Sequence, residues 1–539
     1  MQKIFGLILL SFALASCARI GSPTGGTKDE TPPRFLSAKP DTLATHVSSD
    51  IKQIFIYFDE YILIRDAAKQ ILISPPTEVP PQIQPSARAM KYISIKFFQP
   101  LEENTTYTIN FGSSIQDNNE GNKLTGFSYT FSTGDFIDSL KVTGTVKNSL
   151  KTEPPVNAVV ALYKIFKDSL EKDSVNLKKK PYYVTRTDSS GAFTLNHLHD
   201  GDFKLIVFND LNNNLTIEPD KEEIGFLTAL VNPKDNPSAE NIVLSPAKLP
   251  YRALGGEQDG QGVIKFKFKG NPKNLIIRAL EPDFPPTNIS HEPFADSLYI
   301  YFNNKDLKNI DKRKRLKFLA EYQQKVDTVN ALYDNTIETE LTLSPVEKEV
   351  TPTEDFSLKS NNFISELNKD LFSVTNLKTK TPVAFTLQLD TISERQFDVK
   401  FAKNFDTQYR IEAKSEAVKD FLGNLNKDSL SYDITIRKQS EYGNFYLKLQ
   451  NKPTSKFFVQ LLNEKYKVLK NIYTDADNFE FKNLRPASYL IRILVDENNN
   501  GFWDAADLEH FIPAERTYIY AKPIDIKAFW DMNETWILD

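Results

Sequence analysis

Apolar and polar residues alternate with a period of two along much of this chain. That is the pattern of strands with one face on a core and the other in water. It is plainest at Ile51-Lys52-Gln53-Ile54-Phe55-Ile56-Tyr57-Phe58, at Tyr92-Ile93-Ser94-Ile95-Lys96-Phe97 and at Thr106-Tyr107-Thr108-Ile109-Asn110-Phe111. The run Gln116 to Asn122 (QDNNEGN) reads as a turn, and Phe127 to Thr133 resumes the alternation. Further strands are predicted at 262–268 and 297–302, whereas the charged run Lys305 to Arg315 reads as a solvated loop or a short helix. Short alternating strands separated by turns at this spacing predict an all-β chain of sandwiches.

The largest regularity is a repeat. Phe193 to Asp220 and Phe479 to Asp507 both read as two strands joined by a short turn, followed by a loop dense in Asp and Asn. Phe193 aligns with Phe479, Leu198 with Leu484, Phe203 with Tyr489 and Asp210 with Asp496, every pair 286 positions apart. A constant offset across a whole supersecondary unit marks a duplicated module.

Particular segments resemble known families. The residues PPRFLSAKP, IYFDE, YTINFGSSIQDNNEGN and YTFSTG resemble the bacterial Ig-like domain of the S-layer SbsA type. The stretch TDSSGAFTLNHLHDGDFKLIVFNDLNNN resembles the carboxypeptidase-regulatory and Cna-B-like (prealbumin-like) sandwiches, which are accessory modules and not catalytic ones. Gln408-Tyr409-Arg410-Ile411 with Lys419 to Asn424 repeats the logic of Thr106 to Ile109 with Asp117 to Asn122. The order expected is an Ig-like domain at 34–135, a prealbumin-like domain at 138–247 and a linking β-domain at 248–345. A second Ig-like domain at 346–438 and a second prealbumin-like domain at 441–539 follow. Most of the chain is similar to a Bacteroidota family of Ig-like-domain lipoproteins, whose ending AFWDMNETWIL also resembles.

Length and composition agree with several domains. At 539 residues the chain exceeds what one core organises. A net charge of −5 excludes the basic face that phosphate binding needs, so no nucleic-acid partner is expected. Cys17 is the only cysteine, so no disulfide joins two parts of the chain. Met1-Gln2-Lys3 forms a basic start, Ile4 to Ala13 a short apolar core, and Leu14-Ala15-Ser16-Cys17 resembles the bacterial lipobox. This predicts a signal peptide at 1–16, lipidation of Cys17 and a flexible Gly/Pro/Thr-rich tether at 17–33. Acyl chains anchor a protein without a spanning helix, each buried CH₂ contributing ~0.8 kcal/mol. Ala18 stands where enterobacterial inner-membrane lipoproteins carry aspartate, and Lys28-Asp29-Glu30 resembles the acidic surface-export segment of Bacteroidota lipoproteins. The expected address is the outer membrane, facing the cell surface.

The sharpest candidate chemistry lies in the second Asp-rich loop. Asp496, Asn498, Asn500, Gly501, Phe502, Asp504 and Asp507 fall at positions 1, 3, 5, 6, 7, 9 and 12 of a calcium loop, with Phe502 offering its carbonyl. A strand precedes the loop where an EF-hand has a helix, so it resembles a dockerin-type loop holding a structural calcium. The three carboxylates at ligand positions repel unless a cation neutralises them; the bland alternative is an Asx-rich turn. In the first copy Asp210, Asn212 and Asn214 keep positions 1, 3 and 5 and Glu218 takes 9. Leu215 replaces the glycine and Lys221 sits at 12, with Glu222 as a substitute by slippage, so a structural turn is the leading reading.

The other candidates are weaker. His46, His197, His199, His291 and His510 are the only histidines; His197 and His199 are spaced to share a strand face but lack a third zinc ligand. Trp503, Trp530 and Trp536 are candidates for stacking on sugars, although Trp503, inside the loop, is expected to pack beneath it. No nucleophile elbow, zincin or P-loop motif occurs. The expected function is therefore non-enzymatic: a lipid-anchored scaffold binding protein partners in an outer-membrane secretion or assembly complex. The alternative is a surface protein that binds polysaccharide or adheres.

Overall fold

A computed structural model describes residues 28–167, 173–272, 274–291, 295–307 and 313–538. Cys17, the signal peptide and most of the tether lie outside the described residues. The fold is nearly all β, a set of sheets packed as tandem sandwiches with short 3₁₀ turns between strands.

In the first module, strand Gln53–Ile64 lies between Phe35–Lys39, Met90–Lys96 and Ile115–Asp117 in a six-stranded sheet. Leu72–Ser74, Thr106–Asn110 and Ser128–Ser132 form the opposing sheet. The alternation does what it predicts: Ile54, Ile56 and Phe58 face Ile93, Ile95, Tyr107, Ile109 and Phe131 in one core, while Phe55 and Tyr57 face outward.

The second module opposes a three-stranded sheet (Ala192–Leu198, Leu140–Asn148, Ser238–Leu244) to a four-stranded one (Tyr183–Arg186, Val159–Lys164, Phe203–Phe208, Ile224–Phe226). The fifth repeats that plan, with Asn478–Leu484, Gly443–Gln450 and Asp531–Ile537 on one side. Val468–Thr474, Phe457–Asn463, Ala487–Val495, Thr517–Ile519 and Ile524–Ile526 make the other. In both, the first strand pairs antiparallel with the repeat's hairpin strand and parallel with the module's last strand.

The third module is a single seven-stranded sheet whose two ends curl onto one core, since Ile277, Phe266, Phe302 and Phe318 share a cluster. The run Lys305 to Arg315 departs in part from the expected loop or helix. Asn304–Asp306 is a 3₁₀ turn, but Arg313–Arg315 already belong to strand Arg313–Tyr322. That strand pairs at every position with Lys325–Asp334, so its exposed basic end is held by the ladder. The fourth module packs three sheets around Phe356, Leu358, Phe397, Tyr409 and Ile434, and its first strand is Leu343–Pro345.

The modules close on one another. Alternate residues of Phe203–Phe208 serve two cores: Phe203, Leu205 and Val207 fill the second module, while Ile206 and Phe208 join Val159, Leu72 of the first module and Ala506 of the fifth. Ala247 and Ala506 form a parallel bridge, Lys248 N donates to the Ala506 carbonyl at 2.8 Å, and Arg492 donates to the Leu150 carbonyl at 3.0 Å. Arg395 joins the third and fourth modules, its guanidinium between the rings of Tyr299 and Phe363 and 2.9 Å from Asp259. Arg485 and Glu349, 2.8 Å apart, link the fourth and fifth.

Candidate functional site

The two Asp-rich loops start where a buried central strand runs out, and both fold around their first aspartate. Asp496 is fully buried; it accepts the N–H groups of Asn500 (2.9 Å) and Gly501 (2.7 Å) and the Tyr473 hydroxyl (2.7 Å). Asp210 likewise accepts the N–H groups of Asn214 and Leu215, each at 3.1 Å. Gly501 and Leu215 both have positive φ, +86° and 58°. The backbone bend that favours glycine is therefore made in the first copy by a leucine, held by the same two bonds. The amides of Asn498 and Asn500 both donate to Asp504, at 2.7 Å each, and those of Asn212 and Asn214 donate to Glu218 at 2.8 and 3.1 Å.

An acidic residue beyond the twelve-residue template organises each loop: Glu222, expected as a substitute by slippage, in the first, and Glu515, which the template did not contain, in the second. Glu515 accepts the N–H groups of Glu497 (2.8 Å), Asn498 (3.2 Å) and Asp504 (2.8 Å). Glu222 does the same for Leu211 (3.0 Å) and Glu218 (2.9 Å). Burial pushes both carboxyls above the usual range, against the N–H bonds that favour ionisation. Glu222 follows Leu211 by 11 positions and Glu515 follows its counterpart Glu497 by 18, because the second loop carries an extra excursion. That excursion also removes Asp507 from the expected ligand set. Asp507 pairs with Ile512 as a bridge and holds Lys248 at 3.3 Å and His510 at 3.1 Å. Burial opposes its ionisation, but the bonds from His510 and Lys248 hold its carboxyl below the usual range.

The loops differ in what neutralises them. Arg186 pairs across the ladder with Val159, which pairs with Phe208; Tyr473 pairs with Phe458, which pairs with Leu494. Phe208 and Leu494 are equivalent in the repeat, so Arg186 and Tyr473 occupy one position. The Arg186 guanidinium lies 3.8 Å from Asp210, and Lys221 lies 2.7 Å from Glu218. Against Asp496 there is only a hydroxyl, which the carboxylate pushes up to about 12. Among the described residues no Lys or Arg pairs with Asp496, Asp504 or Glu515, and no three acidic or histidine side chains converge on one point. The carboxylates of the second loop are spent on donors of the protein, Asp496 on two N–H groups and the Tyr473 hydroxyl, Asp504 on the two asparagine amides and Glu515 on three N–H groups, with no basic side chain beside them. The first loop has two basic side chains standing on it.

The remaining candidates separate. His197 has φ 57° and its ring meets the Asp138 carbonyl, while His199 meets that of Asp200; the left-handed bend turns them to different partners. Trp503 donates its indole N–H to the Glu515 carbonyl at 2.9 Å and faces a cleft of about 580 Å³. Trp536 packs on Tyr520, and Trp530 is exposed beside Phe529.

Residues 29–133 match the bacterial Ig-like domain family. No curated protein matches the sequence. Among solved structures the chain is similar to the Bacteroides ovatus mixed-linkage glucan utilization locus protein SGBP-B, in complex with a mixed-linkage heptasaccharide. Identity is 10%, coverage 69% of this chain and 88% of that one, and the TM-score 0.19. It is also similar to the S-layer protein rSbsC (11% identity, 92% and 67% coverage, TM-score 0.15). A third likeness is to BcpA, the major pilin subunit of Bacillus cereus (8%, 74% and 99%, TM-score 0.13).

Proposed function

We propose that this chain is a non-enzymatic scaffold, held at the surface of an outer membrane by a lipid on Cys17, that binds protein partners within a secretion or assembly complex. The observation that supports this reading is the core shared by the second and fifth modules. Segments far apart in sequence are fastened together, so the outer faces of the first, second and fifth modules keep fixed positions relative to one another. A scaffold requires that fixity; a flexible spacer does not. The test is affinity purification of the full-length protein from native outer membrane, with a Cys17→Ala variant alongside. The expected result is one or more partners recovered in near-stoichiometric amount and release of the variant from the membrane. Unchanged membrane association of Cys17→Ala, or recovery of no partner, rejects the reading.

The polysaccharide-binding reading is favoured by a separate observation. Phe55, Tyr57 and Tyr92 form a trio of half-exposed rings on the outer face of the first module, with centroids 5.7–6.3 Å apart. Ser37 on the neighbouring strand and Gln53 and Lys96 on the platform's own strands border it. Such a platform offers ring faces to sugar C–H groups and a polar rim to hydroxyls. Loss of polysaccharide binding in Tyr57→Ala or Tyr92→Ala is the expected outcome under that reading.

A further inference from the structure

The cleft beside Trp503 lies where three segments meet. These are the linker at 247–249, the turn after strand Val263–Lys269, and residues 502–505 of the second Asp-rich loop. Its volume of about 580 Å³ falls within the ~300–1,000 Å³ of small-ligand sites, which form preferentially between domains. The walls are fixed. Gly270 sits at φ +83°, and a Cβ there would stand 2.6 Å from the Leu249 carbonyl and 2.7 Å from the Tyr251 nitrogen, so only glycine lets this turn close on the linker. Tyr322 is braced by Tyr251, their ring centroids 4.9 Å apart, and Trp503 is tied by its indole N–H to Glu515.

The charges of the lining are largely spent. Lys248 is matched by Asp507, and Asp504 accepts the two asparagine amides of its own loop. Burial of His291 keeps its imidazole below the ordinary range, hence neutral at physiological pH. What the cleft offers a ligand is the rings of Trp503, Tyr322 and Phe502 with the amides of Asn271 and Asn274 and the carboxylate of Asp504 around them. Among the described lining residues a charged ligand finds no unmatched partner; a neutral, hydroxyl-rich one finds ring faces and hydrogen-bonding groups.

We propose that this inter-module cleft binds a short segment of a neutral polysaccharide, with a sugar ring against Trp503 and Tyr322 and its hydroxyls on Asn271, Asn274 and Asp504. The proposal rests on the polysaccharide-binding reading and deepens it. It is tested by native affinity electrophoresis of the full chain in gels containing soluble mixed-linkage β-glucan, xylan, galactomannan or α-glucan. Trp503→Ala, Tyr322→Ala and Asn274→Ala are compared with Tyr57→Ala and with the exposed Trp530→Ala, melting being recorded for each. At least one polymer is expected to retard the wild type, and each cleft variant to weaken it about tenfold, the size of one lost aromatic or hydrogen-bonded contact. Trp530→Ala is expected to bind as wild type, while Tyr57→Ala reports on the platform of the first module separately from the cleft. If Trp503→Ala melts early, Tyr322→Ala and Asn274→Ala decide. Retention by all cleft variants, with loss in Tyr57→Ala, overturns the cleft and keeps the polysaccharide reading. Absence of retardation of the wild type by every polymer overturns both.

Discussion

Arg186 and Tyr473 are one position of a duplicated module, filled once by a cation and once by a hydroxyl. That exchange leaves one Asp-rich loop neutralised by a basic side chain and the other without one. In the first loop the guanidinium lies 3.8 Å from Asp210. In the second, no basic side chain among the described residues pairs with Asp496, Asp504 or Glu515. Millimolar calcium, in the weak ~10⁻⁴–10⁻³ M range of extracellular modules, is expected to raise the melting temperature of the wild type. Asp496→Ala and Glu515→Gln are expected to abolish the shift, and Asp210→Ala to leave it intact. A wild type indifferent to calcium, or an equal shift in Asp496→Ala, removes the metal from the second loop. The sequence made Asp496, Asn498, Asn500 and Asp504 legible, because ligand spacing within a loop is local. It hid Glu515 and Tyr473. The first lies beyond an excursion whose length no template fixes; the second is brought in by a strand neighbour, and ladder register is a property of the sheet.

Within the elements, the turns that close the two Ig-like sheets show how one side chain organises a segment. Asp117 accepts the N–H groups of Asn119, Glu120, Gly121 and Asn122 at 2.6–3.1 Å, and Asp420 accepts those of Leu422 and Asn424 at 2.9 and 2.8 Å. Burial opposes ionisation of Asp117, but the four donors outweigh it and hold its carboxyl below the usual range. A depressed carboxylate pKa contributes stability above the unfolded value of ~3.9 and loses it as pH falls through the folded value. Asp117→Asn is therefore expected to cost the first module about 2 kcal/mol at pH 7 and to flatten its loss of stability between about pH 5 and pH 2, as read by urea unfolding. An unchanged acid limb would show that Asp117 does not hold the turn by its charge. Gly423, at φ +85° with open space around its missing Cβ, is expected to cost only about 1 kcal/mol on change to alanine, all of it backbone strain. These strands and turns were legible because alternation and turn chemistry are local. What alternation could not say is where Phe203–Phe208 and Ala487–Val495 turn their second faces, although both runs are apolar almost throughout and a strand buried on both sides reads that way.

Across the whole molecule, those second faces carry the closure that a reading of modules in sequence order does not contain. Phe511 is its most exposed test point: it packs edge-on to Phe226 at 5.4 Å and lies 4.2 Å over the Lys204 ammonium, which also donates to the Thr228 carbonyl at 2.8 Å. Burial holds Lys204 below the ordinary lysine range. A depressed lysine pKa means the unfolded or undocked chain binds more protons, so docking is weaker below the folded pKa and strengthens as pH rises toward the unfolded value of ~10.4. Phe511→Ala removes a ring contact and a cation–π contact together, about 2 kcal/mol, and lets water reach Lys204. Hydrogen exchange is expected to accelerate in Phe203–Phe208 and in the linker at 246–250, while the strands of the third module stay protected. The gain in docking as pH rises toward the unfolded value should vanish with it, because a wetted lysine has its ordinary pKa in both states. Phe529→Ala, at a ring that is 79% exposed, should change neither measurement. If Phe511→Ala left exchange in Phe203–Phe208 as it was, the second and fifth modules would be fastened by the rest of their contacts, the shared core around Ala506, the bridge at Ala247, Arg492 and the Tyr466 hydroxyl on Glu153, and the ring would be a passenger on an interface made elsewhere.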